Sequence, residues 1–351
     1  MQYKYSDIFK WSSGKPVELT NGEVPVYGSN GIVGYSDVAK YENKIILGRV
    51  GAYCGSVEYC EGKFNATDNT LITTCNETLI EYKYAYYMLK IAQLNDYAGG
   101  AAQPLITQGI LKHLTCDIPD IPTQKKIASI LSVYDDLIEK NNRKIAILQE
   151  MAGELYKEWF VRFRFPGYKT AKFKDGIPES WEVDKIKNRV DRLPFNRLYK
   201  EFELEEEGKV IVIDQSEKEF LGFHNNEPSH MASYEAPICL FGDHSCKFQL
   251  MTQPFSLGEN VVPFKGNNIN SYYLFYSTHK SIETEEYKRH WGLFVSKKIL
   301  IPPTTLQKNF EKQLVPIHKQ IDIISKCRRS LIKQRDLLLP RLMSGKLEVN
   351  A

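Results

Sequence analysis

IPDIPTQKKIASIL (118–131) returns, altered, as IPPTTLQKNFEKQL (301–314). Both copies read Ile-Pro, four residues, then Gln-Lys, and they stand 183 residues apart. Each opens a long charged run of helical texture. Working outward, other pairs fall in the same order. Gly28 of YGSNG matches Gly222 of LGFHNN, and Gly48 of IILGRVGAYC matches Gly242 of ICLFGDHSC, both at an offset of 194. FNATDN (64–69) matches FSLGEN (255–260) at 191, and YAYY (84–87) matches YLFY (273–276) at 189. Gly109 matches Gly292 at 183. An offset that falls in steps is what loop deletions make of an internal duplication.

Each unit reads in two parts. The first holds short β-like runs, such as KIILG (44–48) and VIVI (210–213), between Gly, Asn and Pro turns. An aromatic amphipathic run follows, EYKYAYYMLKIAQL (81–94) or SYYLFYSTHKSI (271–282), and predicts a helix. The second part is a long helix, with Thr123 as the expected N-cap of the first copy. From there Ile127, Leu131, Tyr134, Ile138, Asn141, Ile145, Leu148, Ala152, Leu155 and Trp159 step by four and three, a heptad seam. Adding 183 gives Phe310, Leu314, Ile317, Ile321, Ile324, Arg328, Leu331, Arg335, Leu338 and Leu342, in register without a gap. One helix over 123–160 spans roughly 57 Å. Pro316 predicts a kink or restart near the beginning of the second helix. A stripe of this kind does not stay in water. The expected fold class is α+β, two globules joined by two long antiparallel coiled-coil helices in a pseudo-twofold repeat. Each helix folding back on its own globule is the alternative. The expected segments are a globule at 1–122, a helix at 123–165, a second globule at 166–302 and a second helix at 303–351.

Charge follows the same segments. Residues 1–122 carry 10 basic and 13 acidic side chains, and 166–302 carry 18 and 20. The helical runs carry 8 against 6 and 10 against 4. Mildly acidic globules argue against tight DNA binding by the chain alone. No apolar run nears the ~20 residues of a membrane helix. MQYKYSDIFK lacks a signal-peptide core, and the seven scattered cysteines read as reduced thiols. The expected location is cytoplasmic.

Catalytic motifs are missing. There is no phosphate loop, no GxGxxG after a strand, no GxSxG and no HExxH. Ile301-Pro302-Pro303-Thr304 is the nearest approach to the [ND]PP[YF] element of amino-methyltransferases, and it lacks both the amide or acid and the aromatic. His244-Ser245-Cys246 has no second ligand pair at zinc spacing, and DQSEKE (214–219) reads as a solvated loop. No cofactor or metal is expected.

Base readout takes Arg or Lys for guanine, Asn or Gln for adenine and acids for cytosine. The first unit offers Ser29, Asn30, Arg49, Gln103, Thr107 and Gln108. The second offers His224, Asn225, Asn226, Asp243, His244, Lys247, Lys288, Arg289 and His290. The two sets flank the matched glycines and differ in identity, as two domains reading different sequences require. The glycines are expected to let the backbone approach DNA closely. Lys185, Lys187, Arg189, Arg192, Arg197 and Lys200 form a basic cluster, read equally as phosphate contacts or as a solvated face.

The chain resembles the specificity (S) subunits of type I restriction–modification systems over nearly its whole length. The resemblance rests on AQPLITQGILKHLTCDIP (102–119), IPTQKKIASIL (121–131), LIEKNNRKIAILQEMAGELYKEWF (137–160), PESWEV (178–183), GFHNNEP (222–228) and LLLPRLMSGKL (337–347). It implies two target-recognition domains, each reading half of a split double-stranded DNA sequence, and two helices that set the unread gap. It implies docking of two methyltransferase (modification) subunits and of restriction (motor-nuclease) subunits, and no catalysis by this chain. The first globule is shorter than in many members. A fused nuclease or methyltransferase and a structural coiled-coil adaptor are the competing readings.

Overall fold

A computed structural model describes residues 2–100, 103–283 and 288–349. Ala102, the first residue of one motif above, lies outside them. The chain divides into two compact units, Met1–Lys140 with Arg328–Ala351, and Asn141–Cys327.

The first unit begins with β1 (Gln2–Lys4), α1 (Tyr5–Ile8), β2 (Phe9–Ser13), β3 (Val24–Gly28), β4 (Gly31–Ser36) and β5 (Tyr41–Gly48). It continues with β6 (Val57–Ala66), β7 (Thr70–Cys75), α2 (Tyr82–Ile91), α3 (Gln108–Lys112), β8 (Thr115–Asp117) and the start of α4 (Ile121–Tyr156). Six strands form one sheet in the order β2-β7-β5-β6-β3-β4, and β1 pairs antiparallel with β8. The Ser29-Asn30 turn between β3 and β4 closes through Gly31, whose φ of +94° suits glycine. Glu81 caps α2 by accepting from Tyr84 N at 2.7 Å. Tyr84, Ala85, Tyr87, Met88 and Leu89 of α2 are buried, so the aromatic run is core.

The second unit holds the hairpin β9 (Phe173–Lys174) and β10 (Ile177–Pro178), then β11 (Glu182–Lys185), β12 (Val190–Arg192), β13 (Val210–Ile213) and β14 (Gly222–His224). After these come β15 (Ile238–Gly242), β16 (Phe248–Met251), β17 (Phe255–Leu257), β18 (Val261–Gly266), α5 (Ser271–Thr278), α6 (Trp291–Ser296), β19 (Lys298–Ile301) and α7 (Thr304–Met343). Its main sheet runs β12-β18-β15-β16, beside β14-β13-β17 and the pair β11-β19. β11-β19 occupies the place in this unit that β1-β8 holds in the first.

The two long helices are antiparallel. In the first unit Asp135 of α4 meets Arg335 of α7 at 2.7 Å. In the second, Tyr156 of α4 packs on Phe310 of α7, with ring centroids 6.3 Å apart. None of the expected seam residues is exposed. The helices also pack on the globules. Ile127, Leu131, Leu339 and Leu342 join the core of the first, and Ala152, Phe310 and Leu314 that of the second. Helix pairing and folding back on the globule therefore occur together.

Three local expectations are corrected. The N-terminal cap of α4 is Asp120, whose Oδ1 accepts from Thr123 N at 3.1 Å. Hydrogen bonds from Thr123 hold that carboxyl below its usual range. Pro316 does not interrupt α7, which is continuous over Thr304–Met343. The proline and Lys312, whose carbonyl it leaves without a helical donor, are both exposed, so water can serve that carbonyl. α4 passes at Lys157–Val161 into a π-helical turn, which the heptad pattern does not signal.

The repeated Gln is the joint of each unit. Gln124 and Gln307 are buried. Gln124 Oε1 accepts from Glu81 N at 2.8 Å, and its Nε2 donates to Leu79 O and Pro119 O at 3.0 and 2.8 Å. Gln307 Oε1 accepts from Asn270 N, and its Nε2 donates to Pro302 O, both at 2.7 Å. Glu81 and Asn270 cap α2 and α5, so each Gln ties the start of a long helix to the start of the aromatic helix.

Candidate nucleic-acid interface

In the first unit four loop segments converge at one end of the six-stranded sheet. Ser29 Oγ donates to Asn69 O at 2.7 Å, and Ser56 Oγ donates to Ser29 O at 2.6 Å. Arg49 N donates to Asn69 O at 2.9 Å, Ile106 N to Arg49 O at 3.0 Å and Gly51 N to Pro104 O at 3.1 Å. Ser29, Asn30, Arg49 and Gln103 are thereby brought together. Asn30 and Gln103 are exposed. Arg49 is half-buried, and its Nε is buried with no hydrogen-bond partner among the described residues. Thr107 caps α3 by accepting from Ile110 N at 3.3 Å, and Gln108 is half-buried on that helix.

The second unit repeats the wiring with other side chains. Asp243 N donates to Asn260 O at 2.9 Å, as Arg49 does to Asn69, and His290 N donates to Asp243 O at 2.8 Å, as Ile106 does to Arg49. Asp243 Oδ1 also accepts from His290 N and Trp291 N at 3.1 and 2.9 Å. This acid therefore holds the start of α6. Its Oδ2 lies 3.8 Å from Arg289 Nε, and the Arg289 side chain is 79% exposed.

Several sequence candidates turn inward. His224 is buried and stacks on Tyr199, with centroids 4.1 Å apart. Its Nδ1 accepts from Asn226 N at 3.1 Å, so Nε2 carries the proton and donates to Ser256 Oγ at 2.8 Å. Burial, and then Arg197, lower its pKa. A protonated Nε2 cannot take the Ser256 proton, so this pair is no nucleophile and base. His290 is buried against Asp243 O, with Nδ1 at 3.2 Å. The Lys247 ammonium donates to Ser216 O at 2.6 Å and to Lys218 O, and burial lowers its pKa. His244 is half-buried, with its backbone N–H donating to Gln215 Oε1 at 3.1 Å. Asn225 and Asn226 stay exposed; Asn225 Oδ1 accepts from Lys209 N at 3.2 Å. Lys288 is exposed.

Gly48 and Gly242 serve packing and not an open approach. A Cβ on Gly48 comes within 2.5 Å of Tyr53 O, and one on Gly242 within 2.5 Å of Ser245 Oγ. Both are buried beneath their own loops. In the basic cluster, Arg189 reaches Asp184 and Glu182 at 2.8 and 3.0 Å, and Arg197 reaches Glu203 at 2.9 Å. The Arg192 guanidinium lies 4.7 Å from the Phe195 ring centre. Lys185, Lys187 and Lys200 are exposed. Asn69 and Asn260 are the hubs that sequence reasoning missed. They close FNATDN and FSLGEN, so the repeat already marked them.

Among the described residues no group of three or more His, Cys, Asp or Glu suits a metal ion. No helix there is long and apolar enough to cross a membrane.

Residues 2–150 match the family model for the type I restriction modification DNA specificity domain. The specificity subunit of type I restriction enzyme MjaIX from Methanocaldococcus jannaschii is 26% identical over 310 residues, covering 76% of this chain and 69% of that protein. The putative MjaX specificity subunit of the same organism is 26% identical over 350 residues, covering 89% and 81%. The crystal structure of the type I restriction–modification S subunit from M. genitalium shares the fold, with a TM-score of 0.64 at 18% identity over 100% of this chain and 96% of that one. Residues 2–150 thus match a type I restriction modification DNA specificity domain, and over most of its length the chain is similar to type I restriction–modification specificity subunits.

Proposed function

We propose that this chain is the non-catalytic subunit that selects the DNA sequence for a type I restriction–modification enzyme. Each unit reads one half of a split duplex target through its loop cluster. The observation that carries this is one backbone wiring built twice, Arg49 on Asn69 and Asp243 on Asn260, under different side chains. Arg49, with Ser29, Asn30 and Gln103 around it, reads the first half-site, since an arginine suits a guanine edge. In the second unit Asp243 holds α6, so base contact falls to Arg289, Asn225 and Asn226, with Lys288 on phosphate. The helices that continue between the units set the number of unread base pairs. Modification subunits dock on them, and restriction subunits join that complex. Exposed Ile130, Val133 and Leu137 in the first unit, and Ile147 and Met151 in the second, give α4 apolar contact area beyond its seam.

The test maps methylated sites in cells expressing the chain with its modification partners. The expected result is a split motif. Arg49→Ala relaxes one base of one half-site, since a bidentate arginine is worth about 1–3 kcal/mol of discrimination. A continuous motif, or an Arg49→Ala map identical to wild type, refutes the assignment.

A further inference from the structure

In both units the aromatic helix of the globule is bound to a long helix through a tyrosine hydroxyl. Tyr87 Oη, on a buried side chain, donates to Asp135 Oδ2 at 2.6 Å. The other oxygen of that carboxylate accepts from Arg335 Nη1 at 2.7 Å, and Arg335 also meets Asp336 at 2.8 Å. In the second unit Tyr276 Oη lies 3.0 Å from His318 Nε2. One turn further along α7, Asp322 Oδ2 accepts from Tyr234 and Thr252, both at 2.7 Å. The two tyrosines end the repeated YAYY and YLFY runs, 189 residues apart. Asp135 and His318 are 183 apart, the offset that keeps both seams in register. One contact has thus been built twice from different chemistry.

Apolar packing alone tolerates sliding and tilting, because it has no direction. A hydrogen bond does not tolerate them, and a charge-assisted one least of all. Turning α2 on α4 by one residue strands the Tyr87 hydroxyl in the core without a partner. Arg335, reaching from the opposite helix, fixes which way the Asp135 carboxylate faces. Sequence alone places this arginine on the heptad seam. In the structure it is the outer half of a three-residue lock.

We propose that Tyr87, Asp135 and Arg335 are positioning residues that hold the first globule at one angle on the helix pair, and so make the enzyme discriminate the number of base pairs between half-sites. They read no base. The inference rests on the function proposed above.

The experiment uses the complex of this chain with its modification subunits. The DNA carries the two mapped half-sites at the native gap, or at one base pair fewer or more. The readout is the ratio of methylation at the native gap to that at the altered gaps. Tyr87→Phe lowers this ratio about tenfold, the worth of one charge-assisted hydrogen bond, with both half-site sequences unchanged. Asp135→Asn, which keeps the side-chain volume, moves it the same way. Ile45→Val thins the same unit's core away from the lock and leaves the ratio as in wild type at a comparable loss of Tm. An unchanged ratio in Tyr87→Phe overturns the proposal. So does a changed half-site sequence, or an equal drop in Ile45→Val. A wild-type complex that methylates no split target removes the underlying function as well, which separates the two failures.

Discussion

Replacing Gln124 by leucine tests whether the repeated motif is a structural joint. Leucine nearly matches glutamine in volume, so no large cavity opens and the polar terms dominate. Three hydrogen bonds are lost, from Glu81 N and to Leu79 O and Pro119 O. An orphaned buried N–H costs about 1–3 kcal/mol, and two carbonyls deprived of a donor add roughly 1–2 kcal/mol together. The added apolar surface returns about 1 kcal/mol. The expected net loss is about 1–4 kcal/mol in the first unit. A two-unit chain need not unfold in one step, so a single global transition is the wrong readout. Hydrogen exchange read by mass spectrometry gives the opening free energy of each segment. Protection falls over Tyr82–Ile91 and the first turns of α4, and stays unchanged over Ser271–Thr278. Gln307→Leu does the reverse, with a smaller loss, because only Asn270 N and Pro302 O are stranded. A loss below about 1 kcal/mol in the unit that carries the substitution, or equal losses in both, refutes the reasoning.

Two further outcomes follow from groups that turned inward. Burial pushes the His318 pKa down to about 4 in the folded chain, against the attraction of Asp322. The folded value lies below the unfolded one near 6.5, so the folded state binds fewer protons. The second unit therefore keeps its stability above about pH 6.5 and loses up to roughly 3 kcal/mol as pH falls towards 4. His318→Gln flattens that decline, and urea midpoints across pH 4–7 measure it. Lys247→Met frees the carbonyls of Ser216 and Lys218, costing about 1–2 kcal/mol and lowering exchange protection over 214–219. The salt dependence of DNA binding by the complex stays the same. A shallower slope instead marks Lys247 as a phosphate contact.

Much of this architecture was legible because it is periodic. A heptad seam shows in the order of residues, and the 183-residue offset shows which two seams belong together. Glycines at matched places marked the loop clusters, since a buried loop start excludes a Cβ in any sequence. The fates of the polar residues were not legible. Arg49 and Asp243 stand at equivalent places, yet one buries an Nε with no partner among the described residues and the other holds α6. His224 looks like a loop residue in FHNN, and only Tyr199 and Ser256, folded over it from 25 and 32 residues away, make it core. Lys247 reads as a free cation until the 216–218 loop crosses above it.

The repeated Ile-Pro-x4-Gln-Lys shows where the line falls. The sequence alone determined that the chain is a duplication, that each half ends in a long helix and that the two helices share a register, because period and spacing are one-dimensional. It did not reveal why the Gln recurs. That was decided by the approach of α2 and α5, whose first N–H groups need an acceptor just where each long helix begins. A buried donor must find its partner in space, and no spacing along the chain states which groups meet there.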